Sequence, residues 1–316
     1  MEELKKGLVS VIIPTYSRPV YLKRAINSVL NQTYKNIEVV VVDDNDPRTK
    51  YRKETENVML EFLKNPKVKY IKHLKNSNGS AARNTGVNES EGYYIALLDD
   101  DDEFLPLKIE KQVEALKKLD NTYGGVYCNY QQLLKDQIIG KYKNAETGNI
   151  VESLLLCNNS ICGGSTLLLK KSVLVDLKGF DISFLRYQDW ELLVRFFRKN
   201  KLGLATDVLV NIHMDSRINT VMSRNAILAK EKFLTTFKAD IESFNFGYEI
   251  YKRQWFTLGV SLLEVNNNKY AFQCFKRAYH FQKFSLKDYL LISINWLNKY
   301  IPIKKIIKKI IKKVFK

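Results

Sequence analysis

Residues 8 to 44 read LVSVIIPTYSRPVYLKRAINSVLNQTYKNIEVVVVDD. Two runs rich in β-branched residues, LVSVII at 8 to 13 and IEVVVV at 37 to 42, flank a segment in which Leu22, Ile26, Val29 and Leu30 recur at helical spacing. Pro19 suits the opening turn of that helix, where its missing N–H leaves nothing unsatisfied. Both strand runs are apolar almost throughout and leave no face for water, as a parallel sheet covered by helices requires. Strand, helix and strand in this order predict a βαβ unit.

The same alternation continues to about residue 100. It predicts a helix near 52 to 64, a strand in KVKYI (67 to 71), a helix near 80 to 90 and a strand in YYIALL (93 to 98). The fold class is therefore α/β, Rossmann-like, with a mostly parallel sheet and flanking helices. From 105 to 220 the pattern reads as the second half of the same domain: a helix in PLKIEKQVEALKKL, a strand near GVYCNY, an irregular stretch to about 160, the segment GGSTLLLKK, a helix from Gln188 to Arg198 and a strand near 203 to 212. Beyond Asn225 the pattern is helical, which puts a domain boundary near 222. We expect an α/β domain over 1–222, an all-helical extension over 223–299 and a basic amphipathic helix over 300–316. Trp255, Leu258, Gly259, Ala271 and Phe275 echo a tetratricopeptide unit. One such unit cannot form a solenoid, so a helical hairpin is expected.

In open α/β sheets ligands bind beyond the carboxyl ends of the strands. The residues in those positions are polar here: Pro14, Thr15 and Tyr16; Asp43, Asp44, Asn45 and Asp46; Asn76, Asn78, Gly79 and Arg83; and the run Asp99, Asp100, Asp101 and Asp102. Four consecutive carboxylates repel one another unless cations offset them. A hard divalent ion such as Mn2+ or Mg2+ takes carboxylate oxygens and keeps positions open for water and phosphate oxygens. The alternative is a solvated acidic turn at the start of the helix near Pro106, stabilised by about 1 kcal/mol or less.

VSVIIPTYSRPVYLKRAINSVLNQTYKNIEVVVVDDND, NGSAARNTGV, GYYIALLDDDDEFLP, GGSTLLLKKSVLVDLKGFD and YQDWELLVRF, in this order and spacing, resemble glycosyltransferase family 2 with its GT-A fold. The resemblance spans about residues 8 to 222. It implies an inverting, metal-dependent transfer of a sugar from a nucleotide-sugar donor, a UDP-sugar being favoured. By this resemblance Pro14, Thr15, Tyr16 and Arg18 border the nucleotide, with Tyr16 stacking on the base; the alternative for Tyr16 is core packing. Asp44 accepts a hydrogen bond from the base, and the loop carrying Ser80 and Arg83 reaches base or ribose. Asp101 is implied as the direct metal ligand, with Asp99 or Asp100 meeting ribose or metal-bound water, although four aspartates in a row leave the register open by one residue. Asp189 is implied as the general base that takes the acceptor proton. The alternative is that it caps the helix Trp190 to Arg198. Trp190 and Glu191 flank it as candidates for acceptor or sugar contacts, and Ser165 of the GGST segment is expected beside the sugar. His213, with Ser216 three residues on, is a further candidate metal or phosphate ligand, and Arg217 a counter-charge for the leaving group.

Hydrophobic and aromatic shares of 45% and 12% belong to a folded protein, and no apolar stretch is long enough to predict a signal peptide or a membrane-spanning helix. Cys128, Cys157, Cys162 and Cys274 are irregularly spaced, without clustered histidines, and are expected to be reduced thiols in a cytosolic protein. A net charge of +17 would suit nucleic acid, but no nucleic-acid motif is present, and seven of the charges are lysines between 304 and 316. In YIPIKKIIKKIIKKVFK these lysines alternate with pairs of apolar residues, which on a helix separates an apolar from a cationic side. Such a helix suits an anionic membrane surface. The expected partners are a nucleotide-sugar, a glycan or lipid-linked acceptor and the inner face of the cell membrane, with no nucleic acid. The alternative reading of function is an inactive nucleotide-sugar-binding scaffold.

Overall fold

The computed structural model describes residues 4–158, 161, 163–215 and 224–297. The chain divides into two compact units, one formed by 1–154 with 159–219 and the other by 155–158 with 220–316.

The first unit runs β1 (Lys5–Thr15), α1 (Pro19–Leu30), β2 (Ile37–Asp43), α2 (Lys50–Met59), β3 (Val68–Lys72), α3 (Gly79–Glu89), β4 (Gly92–Leu97) and β5 (Glu103–Phe104). It continues with α4 (Lys108–Lys117), β6 (Tyr123–Leu134), β7 (Gln137–Tyr142), α5 (Val151–Leu155), a short 3-10 turn (Gly164–Thr166), β8 (Leu167–Lys170), α6 (Lys171–Asp176), α7 (Gln188–Phe197) and β9 (Lys201–His213). The strands form one sheet in the order β3-β2-β1-β4-β8-β6-β9-β5, with β7 on β6. In β1, Val9, Val11, Ile12 and Ile13 are fully buried, as are Val39 to Val42 of β2, consistent with the two-faced apolar pattern of the sequence.

β1 pairs in parallel with both β2 and β4, and β2 with β3. The chain thus winds outward from β1 through β2 and β3, then crosses to the other side of β1 to form β4. This reversal opens a crevice at the carboxyl ends of β1 and β4. The expectation of a mostly parallel sheet needs correction for the second half: β4 with β8, β8 with β6, β6 with β7 and β9 with β5 are antiparallel, and only β6 with β9 is parallel. The cause is local. Lys135 and Asp136 join β6 to β7 as a two-residue turn with φ of 48° and 58°, the hand that suits a tight hairpin rather than a crossover helix.

The second unit contains α8 (Arg224–Thr236), α9 (Lys238–Glu242), α10 (Gly247–Glu264), α11 (Asn268–Phe281) and α12 (Leu286–Leu297). α10 and α11 form the expected hairpin. A Cβ on Gly259 would lie 2.5 Å from the Phe275 ring, so the glycine lets that ring lie directly on the α10 backbone. The boundary differs from a single cut near 222, because residues 155–158 also belong to this unit: Gln254 donates a 2.5 Å hydrogen bond to the Leu155 carbonyl. Cys128, Cys157 and Cys274 are free thiols, while Cys162 lies outside the described residues.

Candidate active site

The acidic run follows β4 directly. The Asp102 N–H donates to the Asp99 carbonyl at 3.0 Å, closing a turn over the four aspartates. This turn separates their side chains. Asp99, Asp101 and Asp102 each present an oxygen within 4.8 Å of the other two, whereas Asp100 is not part of that group and is fully buried.

Asp100 accepts from the Thr15 hydroxyl at 2.7 Å and pairs with Arg18 at 2.6 Å. Burial pushes its carboxyl up to about 7; Arg18 opposes the rise, and the charges of Asp101 and Asp99 add to it. Arg18 also pairs with Asp101, and Arg24 donates to the Asp101 carbonyl at 2.7 Å. Asp102 accepts from the Ser165 hydroxyl at 2.7 Å, and the same hydroxyl accepts from the Asp99 N–H at 3.1 Å. Ser165 thus ties two corners of the turn together and is buried.

Arg83 is the hub of the facing wall. It holds Asp99 at 2.6 Å and the Gln188 side-chain oxygen at 2.9 Å, and its guanidinium lies 5.6 Å from the Phe180 ring. Burial disfavours its charge, but Asp99, Asp189 and Asp100 outweigh that and leave its pKa above the ordinary value. Asp189 belongs to the first turn of α7, behind Tyr187 as the capping residue, so it is not the N-cap. Its carboxylate lies against the glycine pair of GGST. A Cβ on Gly163, whose φ is +55°, would come within 3.1 Å of Asp189 Oδ2. Any larger residue there would crowd the carboxylate.

At the end of β2, Asp44 is buried and held on several sides: His73 Nδ1 at 2.8 Å and the Ser77 N–H at 2.8 Å meet Oδ1, and the Asn76 amide meets Oδ2 at 2.8 Å. Thr85 holds the other ring nitrogen of His73 at 2.9 Å. Oδ2 therefore accepts one of the two bonds it can take. Tyr16 is 51% exposed, which removes the core-packing alternative. Asp44, Asn76 and Tyr16 line a cavity of about 370 Å3 together with Pro14, Thr15, Arg18, Asn78, Arg83, Asp99, Leu185 and Gln188. A cavity of about 600 Å3 within the helical unit is lined by Trp255, Arg277 and their neighbours and by none of the residues of the acidic run. Asn78 on the wall of the first cavity has a φ of 78°, and Ser17 and Tyr187, each next in sequence to a lining residue, have φ of 58° and 62°. Left-handed backbone at non-glycine residues is costly and concentrates at functional sites.

Several sequence expectations change. Ser80 is buried with its hydroxyl on the Phe184 carbonyl at 3.4 Å and does not line the cavity. Glu191 is buried and pairs with Arg195, at 2.5 Å to Nε, while Arg195 also holds the Leu177 and Gly179 carbonyls; the pair ties α7 to the turn that follows α6. His213 is buried facing Glu103 at 3.4 Å and is not in the carboxylate group. Asp102, for which no ligand role was expected, joins Asp99 and Asp101 in that group, where His213 was the further ligand expected. Ser216 and Arg217 lie outside the described residues. His73 and Gln188 join the site through Asp44 and Arg83 without a signal in the sequence, whereas Asn76 stands among the polar residues that follow the third strand.

The carboxylate group fits a hard cation. Carboxylate oxygens at 2.0 to 2.6 Å from a shared ion lie roughly 3 to 5 Å apart, the range in which these oxygens meet.

The family model for glycosyl transferase family 2 matches residues 10–177. The chain belongs to glycosyltransferase family 2. This family 2 glycosyltransferase is 33% identical over 235 residues to an uncharacterized glycosyltransferase of Rickettsia prowazekii, covering 71% of this chain and 70% of that protein. It is 30% identical over 197 residues to the UDP-Glc:alpha-D-GlcNAc-diphosphoundecaprenol beta-1,3-glucosyltransferase WfgD of Escherichia coli, covering 62% and 72%. Its fold is GT-A: it is similar, with a TM-score of 0.57 and 17% identity over 94% of this chain and 82% of the other, to the mannosyltransferase PcManGT from Pyrobaculum calidifontis in complex with GDP-Man and Mn2+.

Proposed function

We propose that this glycosyltransferase is an inverting enzyme that uses Mn2+ or Mg2+ to move a hexose from a UDP-sugar to a lipid-linked glycan acceptor in surface polysaccharide or glycoconjugate synthesis. The observation that carries the reading is the meeting of Asp99, Asp101 and Asp102 within 4.8 Å, with Asp99 on the wall of the cavity that also holds Tyr16 and Asp44. The E. coli relative's name, with a UDP-sugar donor and an undecaprenol-diphosphate acceptor, supports the donor and acceptor classes.

In this reading Tyr16 offers its exposed ring to the base, and Asp44 Oδ2 accepts from the ring N–H of uracil, held in place by Asn76 and, through Oδ1, by His73. Asp99, Asp101 and Asp102 would hold the cation, which when bound offsets the charge growing on the departing diphosphate. Arg83 fixes Asp99 and Gln188, and Arg217 is a candidate counter-charge to the same diphosphate. The acceptor oxygen attacks the anomeric carbon on the face opposite the leaving group. Asp189 takes its proton as the new C–O bond forms, the bond to the diphosphate breaks, and UDP departs in one displacement. Residues 300–316 hold the enzyme at the anionic inner face of the cell membrane, on the cytoplasmic side, where a lipid-linked acceptor is within reach.

The test is release of UDP from a panel of UDP-sugars with Mn2+ or Mg2+, which needs no acceptor because water can replace it. Slow release that stops on chelation and on Asp101→Ala is expected. Release that survives both would remove the cation from the reaction, and saturable donor binding with no turnover on any donor or acceptor would favour an inactive scaffold.

A further inference from the structure

α12 is built inside out. On a helical projection Leu286, Tyr289, Leu290, Ser293, Trp296 and Leu297 share an arc of about 120°, and the five apolar members are all exposed, Leu286 at 89% and Leu290 at 59%. The residues the helix buries are polar, Asp288 and Asn295. Asp288 is held by Lys252 at 2.8 Å and by the Ser285 N–H at 2.8 Å, so its position is fixed by an ion pair and a capping bond. That anchorage sets the rotation of the helix and turns its apolar arc outward. The patch extends past the helix: the Phe284 ring lies 5.6 Å from Tyr289 and 5.4 Å from the exposed Tyr279. A contiguous apolar surface of this kind marks an interaction site.

We infer that this outward face of α12, with Tyr279 and Phe284, enters the headgroup and upper acyl region of an anionic phospholipid leaflet. The occupant follows from what the chain carries next to it. Residues 298–316 hold eight lysines and no acidic residue, so the sequence following the apolar face is matched in charge to an anionic lipid surface. Leucines with one tryptophan and one tyrosine on a single arc are also the composition of an interfacial helix. The inference rests on the membrane reading above and adds to it a folded, apolar half. The lysines supply salt-sensitive attraction, and α12 supplies attachment that persists when charge is screened.

The test is flotation of the full chain with vesicles of phosphatidylcholine, alone or with one-third phosphatidylglycerol, at low and high salt. One variant combines Leu286→Asn and Leu290→Asn, both on the solvent side of α12. A second combines Lys304→Gln, Lys305→Gln, Lys308→Gln and Lys309→Gln. Circular dichroism and donor hydrolysis in the absence of vesicles check that each is folded. The lysine variant loses binding chiefly at low salt, whereas the leucine variant partitions about ten-fold less at both salt concentrations, in line with the apolar area removed. Wild-type-like partition of the leucine variant overturns this inference and leaves the lysine-rich segment as the anchor. So does a concentration-dependent dimer broken by the leucine variant with vesicle binding unchanged, which would identify a second copy as the occupant. Absence of vesicle binding by the wild type overturns both readings.

Discussion

Asp100 and Asp102 are chemically identical neighbours held in opposite situations. Asp100 is enclosed by Thr15 and Arg18 with its carboxyl pushed up to about 7 by burial, while Asp102 joins Asp99 and Asp101 on the shared side of the turn. The two are therefore expected to respond differently to the same change. Asp102→Asn raises the Mn2+ concentration for half-maximal donor hydrolysis about ten-fold or more, by analogy with losses measured at other metal sites. Asp100→Asn leaves that concentration within about three-fold, since the side chain contributes to the turn rather than to the group; metal titrations of the two variants decide, and the reverse order would restore the Asp99-Asp100-Asp101 register. Much of this site is legible in the sequence because each strand end delivers its own polar cluster. What is not legible depends on three-dimensional pairing: His73 is one histidine among three until the fold brings it to Asp44, and Glu191 looks like a ligand until Arg195, one helical turn on, claims it.

Among the elements, α3 and α4 show how packing limits the sheet. A Cβ on Gly86 of α3 would lie 2.4 Å from Cγ2 of Ile12 in the central strand β1. Gly86→Ala gains helix propensity but forces that contact apart, and a net loss of about 2 kcal/mol is expected in urea unfolding. α4 starts with a buried lysine. Lys108 is fully buried with its Nζ 3.8 Å from the Phe104 ring, and burial lowers its pKa to about 8. The folded state thus binds fewer protons at this site than the unfolded state between about pH 8 and its ordinary 10.5, so its contribution to stability rises with pH through that window and is lost as pH falls. Lys108→Met is expected to stabilise the protein by about 3 kcal/mol at pH 7 and by progressively less toward pH 10. A constant difference across this range in chemical denaturation would contradict the assignment. The βαβ half was readable because period and length agree in every segment. In the other half the β6–β7 hairpin was not readable, because it turns on Lys135 and Asp136, without the Asn-Gly or Asp-Gly signature of such turns.

At the scale of the molecule, donor and cation are assigned to the α/β unit and lipid to the helical one. Hydrogen exchange with UDP and Mn2+ is expected to slow in 14–18, 73–83 and 99–102 and to leave α10 to α12 unchanged; protection confined to the helical unit would move the nucleotide site there. The helical unit was readable as a hairpin from Gly259 and Phe275, but not its inclusion of 155–158, since nothing local marks four residues as belonging to a unit that starts sixty residues later. Nor does helical periodicity reveal that α12 faces outward, because Lys252 and Ser285 decide that from outside the helix. In the proposed reaction the carboxylates divide their labour, with Asp99, Asp101 and Asp102 on the cation and Asp189 on the acceptor proton. The most direct measurement is turnover of Asp189→Asn on a saturating UDP-sugar with Mn2+, beside its calorimetric affinity for UDP. A loss of about 10²- to 10⁴-fold in kcat with UDP affinity unchanged is expected. Turnover equal to the wild type, at the same UDP affinity, would contradict it.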